Sequence, residues 1–471
     1  MGYNFKECNR EQLFLLPASM REWLPEGHLA WFILDAVEEM DLAAFYRNYR
    51  EDGWGRAAYE PRMMVALLVY AYSLGVRSSR EIERACEDRV SFRVITANQR
   101  PDHTTIARFR QEFTEEIGKL FTEVLHLCVR AGLVKVGVVV LDGTKVAGNA
   151  SLSANRTYEH LEREVAWMLE EAEAKDAEED AVYGTDREGS ELPEELRKRD
   201  SRLARLRRAK AELEREAEEA AVARQREIEA REREQEVTGK PRRGRKPKAP
   251  DPTPRREAKA NLTDPESRIM KTRTGYVQGY NAQVMVTKDQ VIVAAEVTQD
   301  QNDVHQLHPM LGKVAEELAT AGVRGRVAAV VADAGYQSEE GVRKADPNGP
   351  ELFLATTNDR QQRVAMEGAP APRGRIPKGL GVKERMERKL LTQRGRALYK
   401  LRGQTVEPVF GQIKGVRDCD GFMRRGLTAA KSEWRLICAT HNLLKLWRSG
   451  KALLGAWLRG TRLRREPCWA Y

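Results

Sequence analysis

Residues 134–142 read VKVGVVVLD and residues 327–333 read VAAVVAD. Both are short valine-rich runs without polar alternation, the pattern of a strand buried on both faces of a sheet, and both finish in an aspartate. Three more runs share this character: YNAQVMVT (280–287), VIVAAEVT (291–298) and ELFLATT (351–357). With the helical stretch HQLHPMLGKVAEELATAG (305–322) between the third and fourth, these five strands predict a mixed α/β sheet. The short KDQ at 288–290 predicts a hairpin between the second and third.

A carboxylate at the end of a buried strand is costly unless something pairs with it, and two such ends side by side repel. A divalent cation removes both problems. Mg²⁺ takes hard oxygen ligands, uses few carboxylates plus waters, and leaves positions for phosphate oxygens. Asp142 and Asp333 are therefore candidate metal ligands, and the glycines of DGT and DAGY beside them permit close approach of backbone and substrate. A third carboxylate is offered by YKLRGQTVEPVFGQIK (399–414). Pro408 suits a first helical turn and Thr405 its cap, which predicts Glu407 at a helix start with Lys414 two turns along the same face.

At these residues the chain resembles the DDE transposases of bacterial insertion sequences. The resemblance runs through the helical N-terminal region, DGTKV with Asp142, TGYVQGYNAQV (274–284), VVADAGYQS (330–338) with Asp333, and a Tyr-Arg-Glu-Lys signature in Tyr399, Arg402, Glu407 and Lys414. Two residues separate Tyr399 from Arg402 and six separate Glu407 from Lys414, as in the cut-and-paste group; four separate Arg402 from Glu407, where the group's usual pattern has three. The resemblance implies an RNase H-like catalytic domain in which Asp142, Asp333 and Glu407 bind two Mg²⁺ or Mn²⁺ ions. It implies metal-dependent DNA cleavage at element ends followed by strand transfer, with Tyr399, Arg402 and Lys414 gripping phosphates. The partners it implies are double-stranded DNA, as terminal inverted repeats and target, and a second copy of the chain on that DNA. A captured nuclease or recombinase with the same site, a catalytically silent DNA-binding regulator and a coiled-coil scaffold are the competing readings. The scaffold leaves the strands and their aspartates without a reason.

The rest of the chain agrees with a polyanionic partner. Its 471 residues predict more than one structural unit, and a formal charge of +9 favours nucleic acid among other polyanions. Residues 1–130 read as a helical N-terminal domain. PRMMVALLVYAYSLGV (61–76) is apolar on all sides, as a core helix is, and SSREIERACEDRVSFRVIT (78–96) reads as one helix. With PDHTTIARFRQEF (101–113) it makes either a helix-turn-helix, with Thr104, Thr105, Arg108 and Arg110 toward DNA, or a helical bundle with a basic solvated face. The catalytic domain is expected to start over 131–156 and to resume over 263–449. Between these lies a charged insertion (157–238) whose Leu196, Leu203, Leu206, Leu213, Ala217 and Ala220, with Leu161, Val165, Met168 and Leu169, predict two helical arms folded together. A basic Pro-rich linker (239–262) follows, expected to be disordered or extended. Its RGRK (243–246) resembles an AT-hook, which would put Arg243 and Arg245 in a minor groove, and the alternative is non-specific affinity. Residues 450–471 form a basic tail.

Six scattered cysteines without CxxC or Cys/His spacing predict incidental free thiols. The absence of an apolar run of membrane-spanning length predicts a cytoplasmic, nucleoid-associated bacterial protein with no membrane partner. Asp300, Asn302 and Asp303, near His305 and His308, are expected to cap the following helix rather than bind metal. Thr356, Asn358 and Asp359 are expected to shape a loop, and His441 to be a core residue.

Overall fold

The computed structural model describes residues 19–49, 58–183, 194–238, 248–375, 377 and 379–451. The chain divides into two compact units, residues 1–133 with 439–471, and residues 134–438.

In the first unit the regular elements among the described residues 19–49 and 58–133 are helices, among them α1 (Leu29–Glu38), α2 (Ala43–Tyr46), α3 (Pro61–Ser73), α4 (Ser79–Asp88), α5 (Val90–Ile95), α6 (His103–Glu112) and α7 (Thr114–Arg130). Helix α3 buries every residue except Arg62, as expected of a helix apolar all round. Pro61 occupies its first turn and the Glu60 carboxylate caps it, accepting from the Met63 N–H at 2.6 Å. The stretch read as one helix over 78–96 is two. Ile82, Ala85 and Cys86 form one apolar stripe whose helical continuation falls on Arg89 and Arg93, while the next buried positions are Phe92, Val94 and Ile95. An extended Arg89 (φ −108°, ψ 121°) breaks the helix so that both sets are buried.

Helix α6 is capped by Asp102, which accepts from the Thr105 N–H at 2.8 Å and from the Thr104 and Thr105 hydroxyls. Arg108 on this helix is exposed. Arg110, expected to face DNA, is instead buried (6% exposed). Its guanidinium donates to the Tyr72 hydroxyl at 3.1 Å, the Arg77 carbonyl at 2.8 Å and the Ser79 hydroxyl, tying α6 to α3 and to the start of α4. The reason is its position beside Phe109 on the inward side of the helix, where a long cation persists only if its charged head finds hydrogen-bond acceptors, as both Nη atoms do here. Arg110→Ala is therefore expected to cost about 2–3 kcal/mol in urea unfolding, because charge-assisted hydrogen bonds are lost and their acceptors stranded. Arg108→Ala is expected to stay within about 0.5 kcal/mol.

The second unit holds β1 (Val138–Ala147), β2 (Asn155–Thr157), α8 (Tyr158–Tyr183), α9 (Glu194–Thr238), β3 (Lys259–Asn261), β4 (Arg268–Thr272), β5 (Gly275–Thr287), β6 (Ile292–Thr298), α10 (Leu307–Thr320), β7 (Ala329–Ala332), α11 (Glu339–Arg343), β8 (Glu351–Leu354), α12 (Asp359–Gly368), α13 (Val382–Leu391) and α14 (Gln393–Phe410). Helix α15 (Leu427–Arg448) starts in this unit and finishes in residues assigned to the first. The fold is mixed α/β. Six strands make one sheet in the order β4, β5, β1, β7, β8, with β6 sharing the outer edge of β5 with β4. β1 and β5 are antiparallel, whereas β1, β7 and β8 are parallel. All five expected strands are present, β4 is additional, and β5 and β6 form the hairpin across residues 288–290.

Val139, Val140 and Leu141 are buried in the sheet centre, as are Val330 and Val331, which accounts for their unbroken apolar runs. One strand limit is corrected. β1 does not end at Asp142 but continues to Ala147, because β5 pairs with it along its whole length, Asp142 opposite Val284 and Ala147 opposite Gly279. It is the parallel neighbour β7 that stops, at the pair Leu141–Ala332.

The charged insertion supplies α8 and α9. Leu161, Val165 and Met168 of α8 pack against Leu206, Ala209 and Leu213 of α9, with Tyr158 and Ala260 at the base and Leu169 and Leu203 alongside. Beyond this seam the α9 side chains described over 218–237 are almost all exposed, so its length exceeds what its partner covers. Residues 239–247 of the basic stretch, with Arg243 and Arg245, lie outside the described residues, as do the expected turn at 184–193 and residues 452–471 of the tail. Lys259–Asn261, read as linker, is a strand pairing antiparallel with β2.

Candidate active site

The site is built by register. Leu141 of β1 and Ala332 of β7 are the last pair of the parallel ladder, so the next residue of each chain segment is an aspartate and the two stand next to each other. Asp142 is buried (8% exposed) and its Oδ1 accepts from the Gly143 N–H at 2.9 Å. Asp333 opens a single 3₁₀ turn, its Oδ1 accepting from the Gly335 N–H at 2.9 Å. Two local backbone donors do not compensate burial of two carboxylates. Burial pushes the Asp142 carboxyl up to about 7; Arg402 pulls it down, and Asp333 and Asp303 push it further up. Asp333 is raised as well, first by burial.

The compensating cation comes from α14. Thr392 caps this helix, accepting from the Gly395 N–H at 3.0 Å, and Tyr399, Arg402, Val406 and Val409 form its buried face at helical spacing. Arg402 Nη2 lies 2.9 Å from Asp142 Oδ2 and 3.6 Å from Asp333 Oδ2, while its Nη1 lies 3.3 Å from Asp359 Oδ1. Asp359, in the first turn of α12, also accepts from the Tyr399 hydroxyl at 2.9 Å. Burial by itself lowers the guanidinium pKa, and the surrounding carboxylates reverse this, so Arg402 stays charged. Its buried Nε has no hydrogen-bond partner among the described residues.

Glu407 is not at a helix start. α14 begins at Gln393 and runs through it, with Pro408 inside the last turn. The missing Pro408 N–H frees the Gln404 carbonyl, which accepts instead from the Gln290 side-chain amide at 3.0 Å. At about 100° per residue, the five positions from Arg402 turn Glu407 roughly 140° away from it, and the position that would share its face is the buried Val406. The additional residue in the signature has this consequence. Glu407 is 56% exposed and reaches the site only at its rim, through Arg363, which lies 3.4 Å from Glu407 and 2.9 Å from Asp359. Lys414 falls in a π-helical turn, Gly411–Val416, that breaks the expected alignment with Glu407. Its Nζ donates to the Lys145 carbonyl at 2.6 Å, where β1 has lost β7 as a neighbour. Burial lowers its pKa.

The structure thus gathers Asp142, Asp333, Arg402 and Tyr399, and leaves Glu407 at the edge. Among the described residues no group of three His, Cys, Asp or Glu side chains is placed to hold a metal ion. Two residues were missed by sequence reasoning. Asp359 was read as loop-shaping, and Asp303 as a helix cap, but the N-cap of α10 is Gln306 and Asp303 turns to the sheet. No local signal separates such an aspartate from a cap. His308 Nε2 donates to the Gly341 carbonyl oxygen at 2.8 Å, and His441 is buried (2% exposed). Cys86, Cys128, Cys419 and Cys438 are buried free thiols, and among the described residues no helix is long and apolar enough to cross a membrane.

Two family models match the chain. One, described as a transposase domain (DUF772), covers residues 18–112, and the other, described as a transposase DDE domain, covers residues 377–447. The second includes Tyr399, Arg402, Glu407 and Lys414 but neither Asp142 nor Asp333. No curated protein and no solved structure matches. These two domain matches support a DDE transposase of an insertion-sequence type.

Proposed function

We propose that the chain cuts DNA at the ends of its own mobile element and joins those ends to target DNA, by metal-dependent in-line phosphoryl transfer in an RNase H-like catalytic domain. The observation that carries this reading is the β1/β7 register, which sets Asp142 and Asp333 side by side where the parallel ladder stops. Both carboxylates approach the same guanidinium nitrogen, and the donor chemistry fits a small hard cation: Mg²⁺ needs only one or two protein carboxylates and keeps waters and phosphate oxygens for the rest. Asp142 and Asp333 would hold it, and Glu407 is the third ligand proposed from the signature, for a pair of Mg²⁺ or Mn²⁺ ions. When bound, such ions activate a water or a DNA 3′-hydroxyl and neutralise the leaving oxygen.

The chain's own residues have separate tasks. Arg402, held by three carboxylates without DNA, has a fork suited to phosphate oxygens, and Tyr399 orients it through Asp359. Lys414 offers a point charge beside β1. Arg108 is the exposed cation of α6 available to phosphates, and Arg243 and Arg245 are proposed as further DNA contacts. Joining two element ends requires at least two active sites, hence a homodimer on DNA, in the cytoplasm at the nucleoid.

The test incubates the purified protein with labelled linear DNA carrying the candidate terminal repeats, in Mg²⁺ or in EDTA. Cleavage at the repeat boundary in Mg²⁺ alone is expected. Cleavage that persists in EDTA, or none in Mg²⁺, rejects the reading.

A further inference from the structure

We propose that Asp303 is a positioning residue of this site, a carboxylate held by strand β5 between the β1 segment that carries Asp142 and the turn that Asp333 opens, so that the pair is set to take up a cation. The inference rests on the metal-dependent reading above. It concerns a residue outside both family matches.

Asp303 precedes α10 but does not cap it. Its Oδ1 accepts from Asn281 Nδ2 at 2.6 Å, from Gln283 Nε2 at 2.8 Å and from Lys145 Nζ at 3.4 Å. Asn281 and Gln283 are two apart on β5, so their side chains share one face of the sheet, and both are fully buried. Gln283 Nε2 also contacts Asn281 Oδ1 at 3.0 Å, and Gln283 Oε1 accepts from the hydroxyl of buried Tyr336. Two amides and a phenol in a sheet interior are costly unless fully paired, and an apolar trio would hold the strands as well. What the amides achieve here is to fix one carboxylate.

The place where it is fixed gives the glycines a reason. A Cβ on Gly143 would run into the Gln283 amide and lie 3.0 Å from Asp303 Oδ1. A Cβ on Gly335 would lie 3.0 Å from Asp333 Oδ1 and 3.6 Å from Asp303 Oδ2. Asp303 therefore abuts the residue after Asp142 and the residue two beyond Asp333. Its Oδ1 is occupied by three donors, while its Oδ2 lies on the Asp333 side. A third carboxylate so close raises the repulsion within the pair, and a bound cation relieves it. Asp303 thus acts through Asp142 and Asp333: it abuts the backbone beside each and deepens their need for positive charge.

The test titrates Mn²⁺ into the purified full-length protein without DNA, reading free Mn²⁺ by electron paramagnetic resonance. Asp303→Asn, which keeps the shape and one acceptor oxygen, is expected to bind about tenfold more weakly, the scale on which supporting residues alter metal sites. Asn281→Ala keeps the charge but loosens it, and is expected to weaken binding, by less than Asp303→Asn does. In cleavage assays the Mn²⁺ concentration for half-maximal rate should rise for both variants while the rate at saturating Mn²⁺ changes less. Asp346→Asn, an exposed control, should match the natural protein. Mn²⁺ binding by the natural protein that is lost in Asp142→Asn but unchanged in both Asp303→Asn and Asn281→Ala overturns this inference alone. No Mn²⁺ binding by the natural protein overturns it together with the metal-dependent reading.

Discussion

At pH 8 in the presence of a chelator, Asp142→Asn is expected to unfold at higher urea than the natural protein, and in Mg²⁺ to cut DNA slower by on the order of 10³-fold. The stability gain follows from the direction of the Asp142 shift. A carboxyl raised to about 7 in the folded chain, against an ordinary 3.8, holds a proton that the unfolded chain has already lost. Its contribution to stability is complete below about pH 4 and is lost as the pH climbs through 7, because the folded state must then carry a buried charge. The difference amounts to about 4 kcal/mol, and Asp333, raised for the same first reason, adds in the same direction. Asparagine removes the charge without changing the shape. The natural protein should therefore lose stability between pH 5 and pH 8 relative to Asp142→Asn, and Mg²⁺ should restore part of it. Equal pH dependence in the two proteins would reject this account of the site's electrostatics.

Arg402→Met should have the opposite effect on stability. Removing the one guanidinium shared by Asp142, Asp333 and Asp359 leaves three carboxylates around a vacancy, and breaking a buried ion pair from one side costs about 3–5 kcal/mol. The loss should be largest at pH 8 and shrink toward pH 5, where the Asp142 carboxyl takes up a proton. The double variant Asp142→Asn/Arg402→Met should be less destabilised than the sum of its parts predicts, since the residues are in contact. Urea unfolding of the four proteins at both pH values measures this. Additive effects, or an Arg402→Met loss independent of pH, would show that Arg402 acts by packing rather than charge.

How far the site was legible follows from which residues report local chemistry. VVVLD and VAAVVAD announce central strands because a strand buried on both faces has no polar alternation, and their terminal aspartates stand out against that background. Tyr399 and Arg402 share the buried face of α14, a helix that begins at Gln393 and not, as the Thr405 cap suggested, just before Glu407. Arg110 misleads for the converse reason: an arginine in a capped helix has the same local pattern whether it meets solvent or, as here, Tyr72 and the Arg77 carbonyl.

The sequence by itself determined the mixed sheet, its hairpin and the aspartates at the ends of the apolar runs, because strand burial and turn chemistry are written in residues a few positions apart. Only the tertiary structure decided which aspartates meet. Asp303 reaches the site through Asn281 and Gln283 on another strand, Asp359 through Arg402 forty-three positions on, and Glu407 stands aside because one added residue turns it around α14. Such choices are made by contacts between distant segments and by the angle at which a helix presents its side chains, neither of which leaves a periodic trace in the chain.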